Sequence, residues 1–119
     1  MNLDFVKIEN AGELAQERVV CRATVDVDVG DFAFFRGIAT TGGKFGAGNV
    51  PSAYWFPNKD VKAGDWVVLY SKIGTSSEKK GEQRTSHFFY WGKSSPLWVS
   101  GAIASLVEIT HWSFSDAVK

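Results

Sequence analysis

Apolar and polar residues alternate with a period of two over much of this chain. From Arg18 to Val29, the residues Val19, Cys21, Ala23, Val25, Val27 and Val29 fall on one face. Arg18, Arg22, Thr24, Asp26 and Asp28 fall mostly on the other. That period, carried by β-branched residues, predicts a half-buried strand. Val20 interrupts the polar face and marks a bulge or a partly covered outer surface. Leu3 to Glu9 reads as an earlier strand, closed by Asn10-Ala11-Gly12. After a turn at Gly30-Asp31, the stretch Asp31 to Ala39 carries Phe32, Ala33, Phe34, Phe35 and Ile38 and reads as a strand apolar on both faces in its middle. Later strands are predicted at Ala53 to Phe56, Trp66 to Ser71, Phe88 to Trp91 and Ala102 to Ile109. No amphipathic helix of ten or more residues emerges; the best stretch, Glu13 to Arg22, passes into alternation within two turns.

The polar stretches between these strands set the organisation. Residues 40–52 form a loop with Gly42, Gly43, Gly46 and Gly48, and a loop of that length without structure of its own is often functional. Asn58 to Asp65 is a turn region in which Gly64 suits a positive φ. Residues 74–86 are polar and flanked on both sides by strand patterns, so they read as a hairpin with an extended tip. Short strands bounded by turn signals predict one all-β sandwich domain over 1–109. A tail, 110–119, carries Trp112 and Phe114, which either dock on the body or wait for a partner.

Composition narrows the picture. A chain of 119 residues makes one domain and buries roughly two-thirds of its unfolded surface without staples. Apolar residues make up 45 %, with five Trp, three Tyr and nine Phe, which argues against disorder. Thirteen basic residues balance thirteen acidic ones, so the strongly basic field of a non-specific nucleic-acid binder is missing, and nucleic acid is not the expected partner. The single cysteine, Cys21, allows no intramolecular disulfide and no multi-Cys zinc site; its place in the alternation makes it an inert buried thiol. The chain opens Met1-Asn2-Leu3-Asp4, without a basic or apolar leader, and no run approaches the roughly 18 apolar residues of a membrane span. The expectation is a soluble protein, cytoplasmic or assembled into a particle, with no membrane partner.

Candidate chemistry is sparse. The only histidines are His87, at a strand start among aromatics, and His111, in the tail; both are read as structural or exposed rather than as bases. A small hydrolase would need one of them. No metal is expected, since no carboxylate falls at a ligand spacing from either. Asp26, Asp28 and Asp31 in D-V-D-V-G-D resemble a calcium loop, but Gly30 occupies a ligand position and no bidentate Glu follows in register. The plain reading is a solvated strand face ending in an Asp-capped turn. Gly42 to Gly48 has the glycine density of a phosphate cradle, yet Lys44 is followed by Phe45 and no helix follows. Phe45 is an apolar ring on a glycine-rich loop, which suggests a contact. Lys79, Lys80 and Arg84 sit among Glu78 and Glu82, so their signs nearly cancel. A single-strand-binding groove would want basic residues interleaved with exposed rings; Trp55, Trp91 and Trp98 are assigned mostly to the core.

Three stretches resemble the lamin-tail domain. Phe56-Pro57, then Val61-Lys62-Ala63-Gly64-Asp65 and Trp66 to Tyr70, look like that family's turn and following apolar strand. Trp98 with Ala102 to Glu108 looks like its closing strand. Glu17 to Val20 and Asp28 to Phe32 sit where it has a charged strand start and a turn. Phe32 replaces the family's Trp, and Ser100-Gly101-Ala102 lacks its acidic residue. The resemblance implies an immunoglobulin-like antiparallel β-sandwich of about seven strands that serves as a non-enzymatic module for binding and assembly, without cofactors. The function expected is therefore a binding or assembly module, a structural or virion accessory subunit for example, with a protein partner or its own copies. Its contact residues would be Lys44 and Phe45 in the first loop, Lys79, Lys80 and Arg84 in the second, and Trp112 and Phe114 in the tail. The alternative is a carbohydrate- or small-ligand-binding module built on exposed rings.

Overall fold

Ten strands and one short 3₁₀ turn follow one another in a computed structural model that describes residues 1–40 and 51–119. The strands are β1 (Leu3–Glu9), β2 (Arg18–Ala23), β3 (Val27–Asp28), β4 (Phe32–Ile38), β5 (Ser52–Trp55), β6 (Asp60–Val61), β7 (Trp66–Lys72), β8 (Ser77–Lys80), β9 (Thr85–Lys93) and β10 (Ala102–Glu108). They form an all-β sandwich: a five-stranded sheet ordered β1-β2-β7-β9-β8, a three-stranded sheet ordered β10-β4-β5, and a small β3-β6 ribbon at one end. No helix among the described residues is long and apolar enough to cross a membrane.

Alternation decides which residues face inward. Val19, Cys21 and Ala23 of β2, Val67 and Leu69 of β7 and Phe89 of β9 are all buried and meet Phe32 and Phe34 of β4, Phe56, Val61 and Trp98 in one core. Aromatic edges lock the two sheets together: Phe56 packs edge-on against Phe34 and Phe89, with centroids 6.2 and 5.1 Å apart. Burial, then the nearby Asp4 charge, pushes the Cys21 thiol far above its ordinary pKa, consistent with an unreactive core residue.

Two expectations need correction. The strand predicted over Arg18 to Val29 ends at Ala23; the chain bends through Thr24–Asp26 and restarts as β3, leaving Val25 exposed. The side chain of Asp26 draws the bend outward by accepting the Ala63 N–H at 2.9 Å, and polar residues with such local bonds favour turns over ladders. Val20, expected to mark a bulge or a partly covered outer surface, is a covered outer residue, 7 % exposed, and the register slips opposite it between Phe5 and Lys7. The second correction concerns residues 74–86. These do not join β7 and β9 as a hairpin, because β7 and β9 run parallel, with Trp66 opposite Ser86 and Tyr70 opposite Tyr90. Part of the supposed loop is β8, which pairs antiparallel with β9 from its far side. The chain from Lys72 to Ser77 must therefore pass across β9.

Gly74 makes that passage possible. A Cβ at this position would lie 2.3–2.7 Å from three atoms of the Tyr90 ring. Gly74→Ala is expected to displace Tyr90 and destabilise the fold by about 1–3 kcal/mol, read as a lower denaturation midpoint. Gly64, by contrast, has open space but φ of +89°, as its turn position requires.

Candidate functional site

The side of the five-stranded sheet that faces away from the core carries an array of rings and cations. β7 contributes Trp66, Val68 and Tyr70, and β9 contributes Ser86, Phe88 and Tyr90; in register these lie side by side. Both strands are apolar on their two faces. Such runs normally belong to strands covered on both sides; here the crossover at Gly74 lies against Tyr90, and no described strand layer covers the rest of the face. Tyr70 stacks on Tyr90 with centroids 5.4 Å apart and rings 12° from parallel, and Phe88 lies 6.4 Å from Tyr70. A shallow concavity of about 270 Å³ sits between Trp66 and Tyr70, floored by Val20, Val68 and Phe88 and rimmed by Lys7, Glu9, Arg18 and Ser86.

Cations flank the rings. On β2, Arg18 and Arg22 stand opposite Tyr70 and Trp66. The Arg18 guanidinium lies 5.7 Å from the Tyr70 centroid, and that of Arg22 5.5 Å from Trp66. Arg84, just before β9, lies 6.0 Å from the same Trp66 ring, and the Lys72 ammonium 5.1 Å from Tyr70. Lys79 pairs with Ser86 and so shares this face, as does Lys7, opposite Val20. The register puts Asp4 and Glu9 here as the acidic counterparts. Lys7, Arg18, Arg22, Lys72, Lys79, Arg84 and Lys93, the last opposite Lys72, against Asp4 and Glu9 leave a net +5 on the face (seven minus two) within a chain of zero net charge. Glu9 acts as a clamp, pairing with Lys7 and Arg18. The hydrogen bond from Lys7, opposed by some loss of solvation and reinforced by Arg18, holds the Glu9 carboxyl below its ordinary pKa.

Charge separation comes from the fold. Asp26, Asp28 and Asp60 gather at the β3–β6 end. Asp28 caps the turn Val29–Asp31 by accepting the Gly30 N–H at 2.8 Å, and it also accepts from Lys59 N and Asn58. The Asp-capped turn is the arrangement expected for D-V-D-V-G-D. Among the described residues no group of three or more His, Cys, Asp or Glu side chains is placed to hold a metal ion.

His87 is a core residue on the inner side of β9, bonded through Nε2 to Asp65 at 2.9 Å. Asp65 also accepts the N–H groups of Thr85 and Lys62 at 2.9 and 3.0 Å. Burial alone raises its pKa, but the Thr85 N–H, His87 and the Lys62 N–H outweigh that and hold it below the usual aspartate value. A group with a depressed folded pKa contributes stability above its unfolded pKa, near 3.8, and loses it as pH falls through the lower folded value. Stability is therefore expected to drop below about pH 4, and Asp65→Asn should flatten that part of a denaturation-versus-pH curve. His111 lies in the exposed tail, 3.2 Å from the Thr110 hydroxyl.

The structure distributes the expected contact residues unevenly. Lys44 and Phe45 lie outside the described residues. Lys79 and Arg84 join the ring-and-cation face, whereas Lys80, opposite Thr85, alternates to the other side of β8. Trp112 and Phe114 are exposed on the far side of the molecule, where Trp112 meets Trp55 edge-on at 5.1 Å and Phe114 at 5.6 Å. Trp55 is 47 % exposed and donates to the Gly30 carbonyl at 2.7 Å, so it is a surface ring, while Trp98 is buried in the core and Trp91 packs against that core. Arg18, Arg22, Trp66, Tyr70, Phe88 and Tyr90 were not expected as site residues. The rings and cations are visible in the sequence, but which rings sit beside which cations depends on the strand pairing. Compared with known proteins, the chain matches no family model and no curated sequence.

Proposed function

We propose that this chain is a non-enzymatic binding module that holds an anionic partner on the outer face of its five-stranded sheet. The observation that carries the reading is the net +5 face of rings and cations on a neutral protein. Desolvated rings supply contact area, and flanking guanidinium groups supply charge and directional hydrogen bonds. The lamin-tail resemblance supports the same class, a sandwich used for binding and assembly. A second contact is favoured by the Trp55–Trp112–Phe114 cluster: three exposed rings in one patch suit assembly with a protein or another copy of the chain. Neutral glycans, which need rings but not cations, fit the sheet face less well.

Immobilised heparin, a generic polyanion, tests the reading. The wild type should be retained at low salt and released by added salt, despite its zero net charge. Arg18→Ser with Arg22→Ser should flow through. Lys59→Ser with Lys62→Ser, which removes equal charge from elsewhere, should be retained. Flow-through of the wild type, or equal loss in both variants, would overturn the reading.

A further inference from the structure

Resting on that reading, we infer that the occupant of the sheet face is single-stranded nucleic acid, with its phosphates on the flanking cations and its bases on the central rings. The geometry separates the two functions by strand. Trp66, Tyr70 and Phe88 come from β7 and β9, interior strands of the sheet, with Tyr90 packed against Tyr70 and the crossover at Gly74. The cations come from both sides of them: Arg18 and Arg22 on β2, Lys79 on β8 and Arg84 before β9. A partner that matches must present planar groups along its middle and negative charge along its margins. An acidic peptide has the charge without the planes, and a sulfated glycan has no aromatic ring to stack. A single strand carries one of each per nucleotide. Open sheets with rings on their central strands bind unstacked bases in this way, with charge along the backbone track.

Details of the face suit that occupant. Outward side chains along a strand recur about every 6.7 Å and neighbouring strands lie about 4.8 Å apart. Trp66 and Tyr70 therefore stand on either side of Val68, with the 270 Å³ concavity between them over an apolar floor. That space suits one planar base. Guanidinium groups already lie over the Trp66 and Tyr70 rings, and bases stack on guanidinium planes as well as on aromatic ones. Duplex nucleic acid is not favoured, because its bases are stacked and its outer surface offers no rings to this floor.

Fluorescence titration of the full chain tests the inference, using an oligothymidylate and an oligouridylate of about 12 nucleotides, within the usual site sizes of about 4–16. Heparin and polyglutamate at equal charge concentration serve as comparators. The expected result is saturable quenching by the oligonucleotides and tighter binding of them than of either comparator. The logarithm of affinity should fall with the logarithm of salt with a slope of about −3, roughly 60-fold between about 50 and 200 mM, for four phosphate contacts. The preferred oligonucleotide tells DNA from RNA, and either supports the inference. Trp66→Ala should weaken oligonucleotide binding roughly tenfold or more while leaving heparin retention nearly intact. If that variant fails to fold, Lys79→Ser with Arg84→Ser, in the hairpin, should weaken binding and reduce the salt slope. Tighter binding of polyglutamate or heparin, or an oligonucleotide affinity that Trp66→Ala leaves unchanged, would overturn the nucleic-acid assignment. Retention on heparin would then still stand for the anionic face, so the two failures are told apart.

Discussion

Glu17→Ala is expected to lower the unfolding free energy by about 3–4 kcal/mol, a large share of the total for a domain of this size. Glu17 has no exposed surface, and its carboxyl group joins three separate parts of the chain. One oxygen accepts the Gly12 N–H at 2.9 Å; the other accepts from the Ser71 hydroxyl and from the Leu97 N–H at 2.8 Å. The turn after β1, the end of β7 and the segment between β9 and β10 are thus fastened at one point. Arg36 of β4 ties the last of these in turn by donating to the Leu97 carbonyl at 3.1 Å. Truncation strands three donors in or near the core, each costing about 1 kcal/mol or more. Glu17→Gln keeps the volume but turns an amide donor toward groups that themselves donate, so an intermediate loss of about 1–2 kcal/mol is expected. Chemical denaturation of the two variants checks both values; equal stability of Glu17→Ala and wild type would show that these bonds form equally well with water.

Reversing Arg22 and Arg84 to Glu is expected to weaken oligothymidylate binding about 100-fold at about 50 mM salt, with little change in stability. Both guanidinium groups lie over Trp66, at 5.5 and 6.0 Å. Reversal removes two phosphate contacts and adds two repulsions beside a ring meant to carry a base. The structural loss is two cation–π contacts of about 0.5–1 kcal/mol each. A matched reversal of Lys59 and Lys62 changes net charge equally. These residues sit with Glu78 and Asp26, which they pair at 3.1 and 3.5 Å. Charges more than about 10 Å from the bound strand are largely screened, so this variant should bind within about threefold of wild type. Equal losses in both variants would mean that net charge, rather than the arrangement of the face, governs binding.

Part of the fold can be read from residue order, because the longer strands are apolar runs bounded by turn residues, and along Arg18–Ala23 the inward positions repeat every second residue. What could not be read is which strands pair. The polar run from Gly74 to Ser86, with apolar strands on both sides of it, looks like one hairpin until the crossover puts β7 and β9 parallel. The site was hidden for the same reason. Trp66-Val67-Val68-Leu69-Tyr70 is apolar at every position, so its inner and outer residues are indistinguishable in sequence. Arg18 and Arg22 look like an ordinary solvated face until β7 is placed beside them. Net charge misleads as well: equal totals of acidic and basic residues conceal a basic sheet face and an acidic β3–β6 end. The aromatic tail was visible in sequence, but its contact with Trp55 was not, since Trp55 was counted mostly with the core.

The most direct test of the account is a map of backbone amide NMR shifts on titration with the oligothymidylate. The account predicts perturbations concentrated in Arg18–Arg22, Trp66–Tyr70 and Thr85–Tyr90, with the acidic end around Asp26–Asp31 unmoved. Perturbations confined to the tail beyond Glu108 or to that acidic end, or an unchanged spectrum at saturating oligonucleotide, would contradict it.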